Sequence, residues 1–176
     1  MTLKQVLIKA IEIINNGLID VENSSTELTR LIECGNFIYS ELADEYSDLK
    51  YSEELVAADG TIPFTSFTKS VKKILKVKYG SAEVPFREYN TYVDVMSQGT
   101  YKVDYTYKSD AIGLNDTLDL PAFFTLYSVA CGVASEYFFR TGLVEEALFY
   151  KNRYDRAVNN LTAERRRSKL KVRRFI

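Results

Sequence analysis

The sequence contains no histidine and only two cysteines. Histidine is the most common general base and a frequent metal ligand. Its absence therefore excludes Ser–His and Cys–His catalytic pairs and the common types of zinc site. The two cysteines, Cys34 and Cys131, lie far apart, each within an apolar helical pattern. We expect two buried core thiols in a protein made in a reducing compartment.

Long apolar runs and clustered glycines are also missing. No stretch is apolar for long enough to span a bilayer, and Lys4 and Lys9 interrupt the first apolar segment, where a signal peptide would be uncharged. We therefore expect a soluble protein, intracellular when made, without membrane contact. The eight glycines are scattered singly, which argues against a phosphate-binding loop.

The acidic residues form no catalytic pattern. Pairs such as Glu145-Glu146 are adjacent in the sequence, so their side chains should point apart on a helix or strand. The segment from Asp110 to Asp119 holds three aspartates, but their spacing misses the calcium-loop pattern and its terminal glutamate. We predict that the protein is not an enzyme and uses no cofactor or metal.

Helical apolar spacing marks both ends of the chain, whose length of 176 residues favours one domain. Ser24 and Glu27 match a capping box at the start of the second helix, whose predicted apolar face includes Phe37. The last two helices meet at Gly142 through a turn so short that they should pack antiparallel. The predicted helices cover residues 3–15, 24–46, 121–141 and 144–161; Pro121 is expected in the first turn of the third.

Between residues 51 and 108 the apolar period changes from helical to alternating. The clearest strand is the run Tyr101–Tyr107, in which apolar and polar residues alternate strictly. Asp59-Gly60 is typical of a hairpin turn, and the many tyrosines suit a half-exposed sheet face better than an interface. The predicted fold class is α+β: a mainly helical domain over residues 1–161, formed by an N-terminal helix pair and a C-terminal helical hairpin, with a small antiparallel sheet inserted in the middle.

An extended basic C-terminal arm is predicted over residues 162–176. It has a net charge of +6, whereas residues 1–161 have a net charge of −7, and together they give the total of −1. Three interpretations stay open: a solubilising tail, a nucleic-acid-binding arm, or an arm that folds into a groove on another protein. The apolar tip favours the third, with arginines pairing with carboxylates and Phe175 as an anchor. The candidate binding residues are Arg165, Arg166, Arg167, Lys169, Lys171, Arg173, Arg174 and Phe175.

Several segments, taken in order, resemble one protein family. They are Ile62–Phe67 followed by Val71–Val77, then Gly99–Tyr107, Gly132–Tyr137, Gly142 with Glu145-Glu146-Ala147 and Tyr154, and the ending Arg173-Arg174-Phe175. The chain resembles the small head–tail connector, or adaptor, proteins of tailed bacteriophages, especially those of low-GC Gram-positive bacteria. The resemblance covers roughly the last two thirds of the chain.

The resemblance implies a structural protein of the virion neck, made in the cytoplasm of the bacterial host. Such adaptors form a ring, commonly dodecameric, beneath the portal protein and above a stopper or tail-completion protein. They lengthen the channel through which the genome DNA passes and provide the surface on which the tail docks. The basic arm is then expected to dock on the portal, and the acidic remainder suits a channel to which DNA does not stick.

Two alternatives remain at this stage. A tail-completion or stopper protein would share the virion neck but contact the tail tube. A DNA-binding protein would use the basic arm directly, and its affinity would fall with salt.

Overall fold

Four helices and seven strands make up the described part of the computed structural model, which covers residues 1–15 and 19–169, with side chains as far as residue 160. The helices are α1 (Leu3–Ile14), α2 (Thr26–Glu41), α3 (Leu126–Thr141) and α4 (Val144–Lys169). The strands are β1 (Lys50–Ala57), β2 (Thr61–Pro63), β3 (Val71–Tyr79), β4 (Ala82–Glu83), β5 (Arg87–Glu88), β6 (Tyr92–Asp94) and β7 (Gly99–Tyr107). The fold is α+β, as predicted.

The contacts divide the chain into two units. A helical unit contains Met1–Leu42 and the chain from Ala111 onward, and a sheet unit contains Ala43–Asp110. The sheet unit is inserted into the sequence of the helical unit, as the change of apolar period predicts. No helix in the described ranges is long and apolar enough to cross a membrane.

The N-terminal helices begin at side-chain caps. The hydroxyl of Thr2 accepts a hydrogen bond from the Gln5 backbone N–H at the start of α1. On α2 the cap is Ser25, one residue later than predicted, and its hydroxyl accepts from the Leu28 N–H at 3.1 Å. The chain then continues from α2 into a π-helical turn, Leu42–Tyr46, which ends where the predicted helix ends.

The C-terminal hairpin is present, but both of its outer bounds differ from the prediction. Thr125 caps α3 by accepting the Ser128 N–H at 3.1 Å, so the helix begins five residues after Pro121. Gly142 ends α3 in the left-handed conformation at φ 82°, as predicted. The backbone of α4 continues to Lys169, so the first part of the predicted extended arm is helical. Residues 162–169 contain no glycine or proline and are mostly good helix formers, which explains the continuation.

Helix α3 lies at the centre of the helical unit and packs against the other three helices. Both cysteines are buried and free, as predicted. Gly132 of α3 allows the close approach of its neighbours, because a Cβ there would lie 2.9 Å from the Tyr154 ring and 3.0 Å from Ile38. A glycine at this position therefore sets the spacing of α2, α3 and α4.

The sheet unit contains two antiparallel sheets where the sequence predicted one. Their strand orders are β1-β7-β3-β4 and β2-β6-β5. The strand that the sequence predicts most clearly is the central β7, which buries Tyr101, Val103 and Tyr105. The prediction of a hairpin at Asp59-Gly60 was wrong. Gly60 has the positive φ of a turn residue, 76°, but the turn connects β1 in one sheet to β2 in the other. Strands β1 and β2 each join their sheet by pairing with a strand distant in the sequence, and a local turn pattern cannot predict that pairing.

Candidate interaction surfaces

The structure describes the predicted arm only in part. Arg165, Arg166, Arg167 and Lys169 belong to the backbone of α4, and their side chains lie outside the described part. Lys171, Arg173, Arg174 and Phe175 lie outside the described residues altogether. Docking of the arm on a portal protein stays a prediction.

A groove of about 230 Å³ opens on the helical unit where α2, α3 and α4 meet. The buried ring of Tyr154 and the backbone of Gly132 lie at its base. Phe37 of α2 and Phe139 of α3 both line it, and they remain 50% and 39% exposed. Phe37 was predicted to belong to the core face of α2, and that assignment was wrong.

The apolar surface continues from this groove along α4. Val144 and Leu148 are one helical turn apart, and Lys151, which lines the groove, follows three residues later. This spacing places the three residues on one stripe of α4. Val144 is 52% exposed and Leu148 is 50% exposed. Apolar side chains exposed together in this way are typical of a surface that contacts another protein.

Charged side chains surround the apolar centre of the groove. The Tyr154 hydroxyl donates to Glu41 Oε1 at 3.0 Å. Arg140 donates through Nε to Glu136 Oε1 at 2.8 Å and through a terminal nitrogen to Glu33 at 3.0 Å, while Lys151 pairs with a carboxylate of its own helix. Of these side chains, Glu41, Glu136 and Lys151 line the groove itself, with a net charge of −1. Glu33, Arg140 and Asp155 lie outside its lining and are held in ion pairs.

The two thiols lie in surroundings that suppress their reactivity. Burial raises the pKa of Cys34 to about 11, and burial also raises the pKa of Cys131. The reactive form of cysteine is the thiolate, so both residues act as small core side chains. In the part of the chain that is described, no group of three or more Asp, Glu, Cys or His side chains could hold a metal ion.

The most strongly bonded polar group of the sheet unit is Glu53 on β1. Its carboxylate accepts the Tyr105 hydroxyl at 2.5 Å, and the hydroxyl and backbone N–H of Thr68 at 2.6 and 3.0 Å. Burial alone would raise the pKa of Glu53, but these hydrogen bonds outweigh it and hold the pKa below its usual value. Burial and the bond to Glu53 raise the pKa of Tyr105 far above its usual value. This network fastens β1, β7 and the loop before β3, and its role is structural.

No protein-family model matches the chain, and a search of curated proteins gives no match. The resemblance to phage adaptors therefore rests on the ordered sequence segments given above.

Sequence reasoning missed the groove, although a signal for it was present. Val144 and Leu148 fall outside the predicted core stripe of α4, which contains Ala147 and Tyr154. Large apolar residues off the core stripe of an amphipathic helix are the pattern expected at a protein contact.

Proposed function

We propose that this chain is a structural protein of a bacteriophage neck: a head–tail adaptor that forms a ring under the portal, extends the DNA channel and provides the docking surface for the tail. The class of protein is suggested by the resemblance of its ordered segments to such adaptors. The observation that carries the proposal is the apolar groove of the helical unit. A ring subunit needs a surface of this kind, because its neighbours must bury what one copy leaves exposed.

The charge distribution supports the same proposal. Residues 1–161 have a net charge of −7, and an acidic or neutral wall lets the genome DNA slide without adhering. A protein that binds DNA directly would be expected to spread its positive charge over a folded surface. Here residues 162–176 carry a net positive charge and residues 1–161 a net negative one.

The proposed partners are proteins and the passing genome. The portal lies above the ring, a stopper or tail-completion protein lies below it, and copies of the same chain, twelve in the common arrangement, lie beside one another. The protein would be made in the host cytoplasm and then become part of the virion. No catalysis and no cofactor belong to this role.

The basic end of α4 is the portal contact in this proposal. The backbone of α4 holds Arg165, Arg166, Arg167 and Lys169 within little more than one turn, so one acidic surface on the portal could meet several of them. The experiment is co-sedimentation of the purified chain with purified portal at several salt concentrations. We expect a complex whose dissociation constant rises at least tenfold in R166E/R167E. The control is K50E/K102E on the sheet unit, which changes the net charge equally and should leave the dissociation constant unchanged.

The same experiment separates the alternatives. No complex with the portal, together with binding to tail tubes, would favour a tail-completion or stopper protein. Binding to duplex DNA that weakens steeply with salt, and is lost in R166E/R167E, would favour a DNA-binding protein.

A further inference from the structure

We propose that the C-terminal tip of the chain, residues 170–176, docks in the groove between α2, α3 and α4 of a second copy. The inference deepens the ring proposed above and rests on that proposal for its biological meaning. The contact itself is argued from the groove and from the sequence of residues 170–176. It is the contact through which one copy would bind the next.

The tip and the groove match in apolar character. The tip ends in Phe175-Ile176, and the groove is lined by the exposed rings of Phe37 and Phe139 together with Gly132 and Tyr154. An aromatic side chain that enters a pocket lined by aromatic rings gains apolar burial and favourable ring contacts. Val144 and Leu148 extend the apolar surface toward one end of the groove, where Ile176 or Val172 can lie.

The tip and the groove also match in charge. Residues 170–176 contain Lys171, Arg173 and Arg174 and no acidic side chain. The charged side chains that line the groove are Glu41, Glu136 and Lys151, with a net charge of −1. Arg173 and Arg174 directly precede the apolar anchor Phe175, and their pairing with the groove carboxylates would fix the direction of the bound segment.

The groove of the same chain is out of reach. Tyr154 and Lys169 are fifteen residues apart on α4, which at the helical rise is about 22 Å along the axis. Phe175 follows Lys169 by six residues, which span at most about 22 Å when fully extended. The reversal of direction takes up part of that length, so the backbone of Phe175 falls short of its own Tyr154. A tip that fills the groove therefore comes from a second copy.

Such a contact is heterologous, because the tip of one copy meets the groove of the next. Contacts of this type close into a ring when the rotation between neighbours divides a full circle.

The test is site-specific cross-linking between two variants of the full chain that each carry one introduced cysteine. Phe37→Cys places a thiol at the groove and keeps Phe139 and Tyr154, and Ile176→Cys places one in the tip and keeps the anchor Phe175. The native Cys34 and Cys131 are buried, so a short bis-maleimide should react with the introduced thiols. The matched control is Phe149→Cys, since Phe149 is also on the helical unit, is 52% exposed and does not line the groove.

We expect a product of twice the chain mass when Phe37→Cys and Ile176→Cys proteins are mixed. We expect at least tenfold less of this product when Phe149→Cys replaces Phe37→Cys. Without cross-linker, we expect Phe175→Ala to sediment more slowly than the unaltered protein. Yields equal to the Phe149 control would overturn the proposal. So would an intrachain link in the double variant Phe37→Cys/Ile176→Cys at high dilution.

Failure here is distinguishable from failure of the proposed function. If Phe175→Ala sediments like the unaltered protein but no longer binds the portal, the tip belongs to the portal; the adaptor proposal then stands and this inference is wrong. If the cross-link forms but the protein is missing from virions, the inference stands and the adaptor proposal is wrong.

Discussion

The Tyr154 hydroxyl on α4 donates a 3.0 Å hydrogen bond to Glu41 Oε1 on α2. The buried ring of Tyr154 forms the base of the groove, and its hydroxyl holds one of the carboxylates at the rim. Tyr154 therefore contributes an apolar ring to the groove and also positions the carboxylate of Glu41, which lines it. A change at Tyr154 should affect the fold of the helical unit and the groove together.

Tyr154→Phe keeps the ring at the base of the groove and removes the hydroxyl. We expect the free energy of unfolding to fall by about 1 kcal/mol, because Glu41 loses a hydrogen bond. Thermal or urea unfolding followed by circular dichroism measures this. Tyr150→Phe is the control, since Tyr150 stacks on Phe138 and its hydroxyl makes no hydrogen bond to the described residues; the free energy of unfolding of this variant should be unchanged. Equal losses in the two variants would show that the bond to Glu41 does not stabilise the unit.

Gly132→Ala tests the packing distance of the hairpin. The added methyl group would lie 2.9 Å from the Tyr154 ring and 3.0 Å from Ile38, so one of the helices must shift. We expect the free energy of unfolding to fall by about 1–3 kcal/mol, despite the higher helix propensity of alanine. The measurement is the urea midpoint at constant m-value. A variant more stable than the original would mean that α3 and α4 are less closely packed than the structure shows.

The bond between Tyr105 and Glu53 predicts how stability depends on acid. The pKa of Glu53 is lower in the folded protein than its ordinary value of about 4.5, so its contribution is present above that pH and is lost as pH falls through the folded value. We expect the unaltered protein to lose stability relative to Glu53→Gln as the pH falls below about 4.5. Urea unfolding of both proteins between pH 3 and 7 measures the difference. A constant difference across this range would contradict the prediction.

The buried thiols should resist modification until the helical unit unfolds. Burial raises the pKa of Cys34 to about 11, and Cys131 is also buried. We expect a thiol reagent at pH 8 to modify neither cysteine in the native protein, and both in urea. Mass spectrometry of the intact protein counts the modified sites. Rapid reaction of either cysteine without denaturant would contradict the burial and would require cysteine-free chains for the cross-linking test.

Local signals in the sequence predict the fold well where one residue decides the outcome. Gly142 ends α3 because glycine adopts the left-handed conformation without steric cost, and β7 follows from strict alternation. The start of α3 was misplaced because Pro121 and Thr125 are both acceptable near a helix start, and only the cap bond to the Ser128 N–H distinguishes them. The pairing of β1 with β7 joins residues about fifty positions apart, which no local pattern reports.

The groove could not be derived from the sequence for a related reason. Phe37 lies next to Ile38 on α2, and a helical apolar stripe can be wide enough to include both. Only the positions of α3 and α4 decide that Ile38 is buried and that Phe37 is half exposed. The basic tip, by contrast, is evident from the sequence, because its charges and its apolar end are consecutive.

The proposal that this chain is a subunit of a phage neck ring is tested by quantitative mass spectrometry of purified phage particles that encode it. The measurement compares the copy number of the chain with that of the portal protein. We expect a ratio near one, as for a ring matched to the portal. Absence of the chain from purified particles would overturn the proposal.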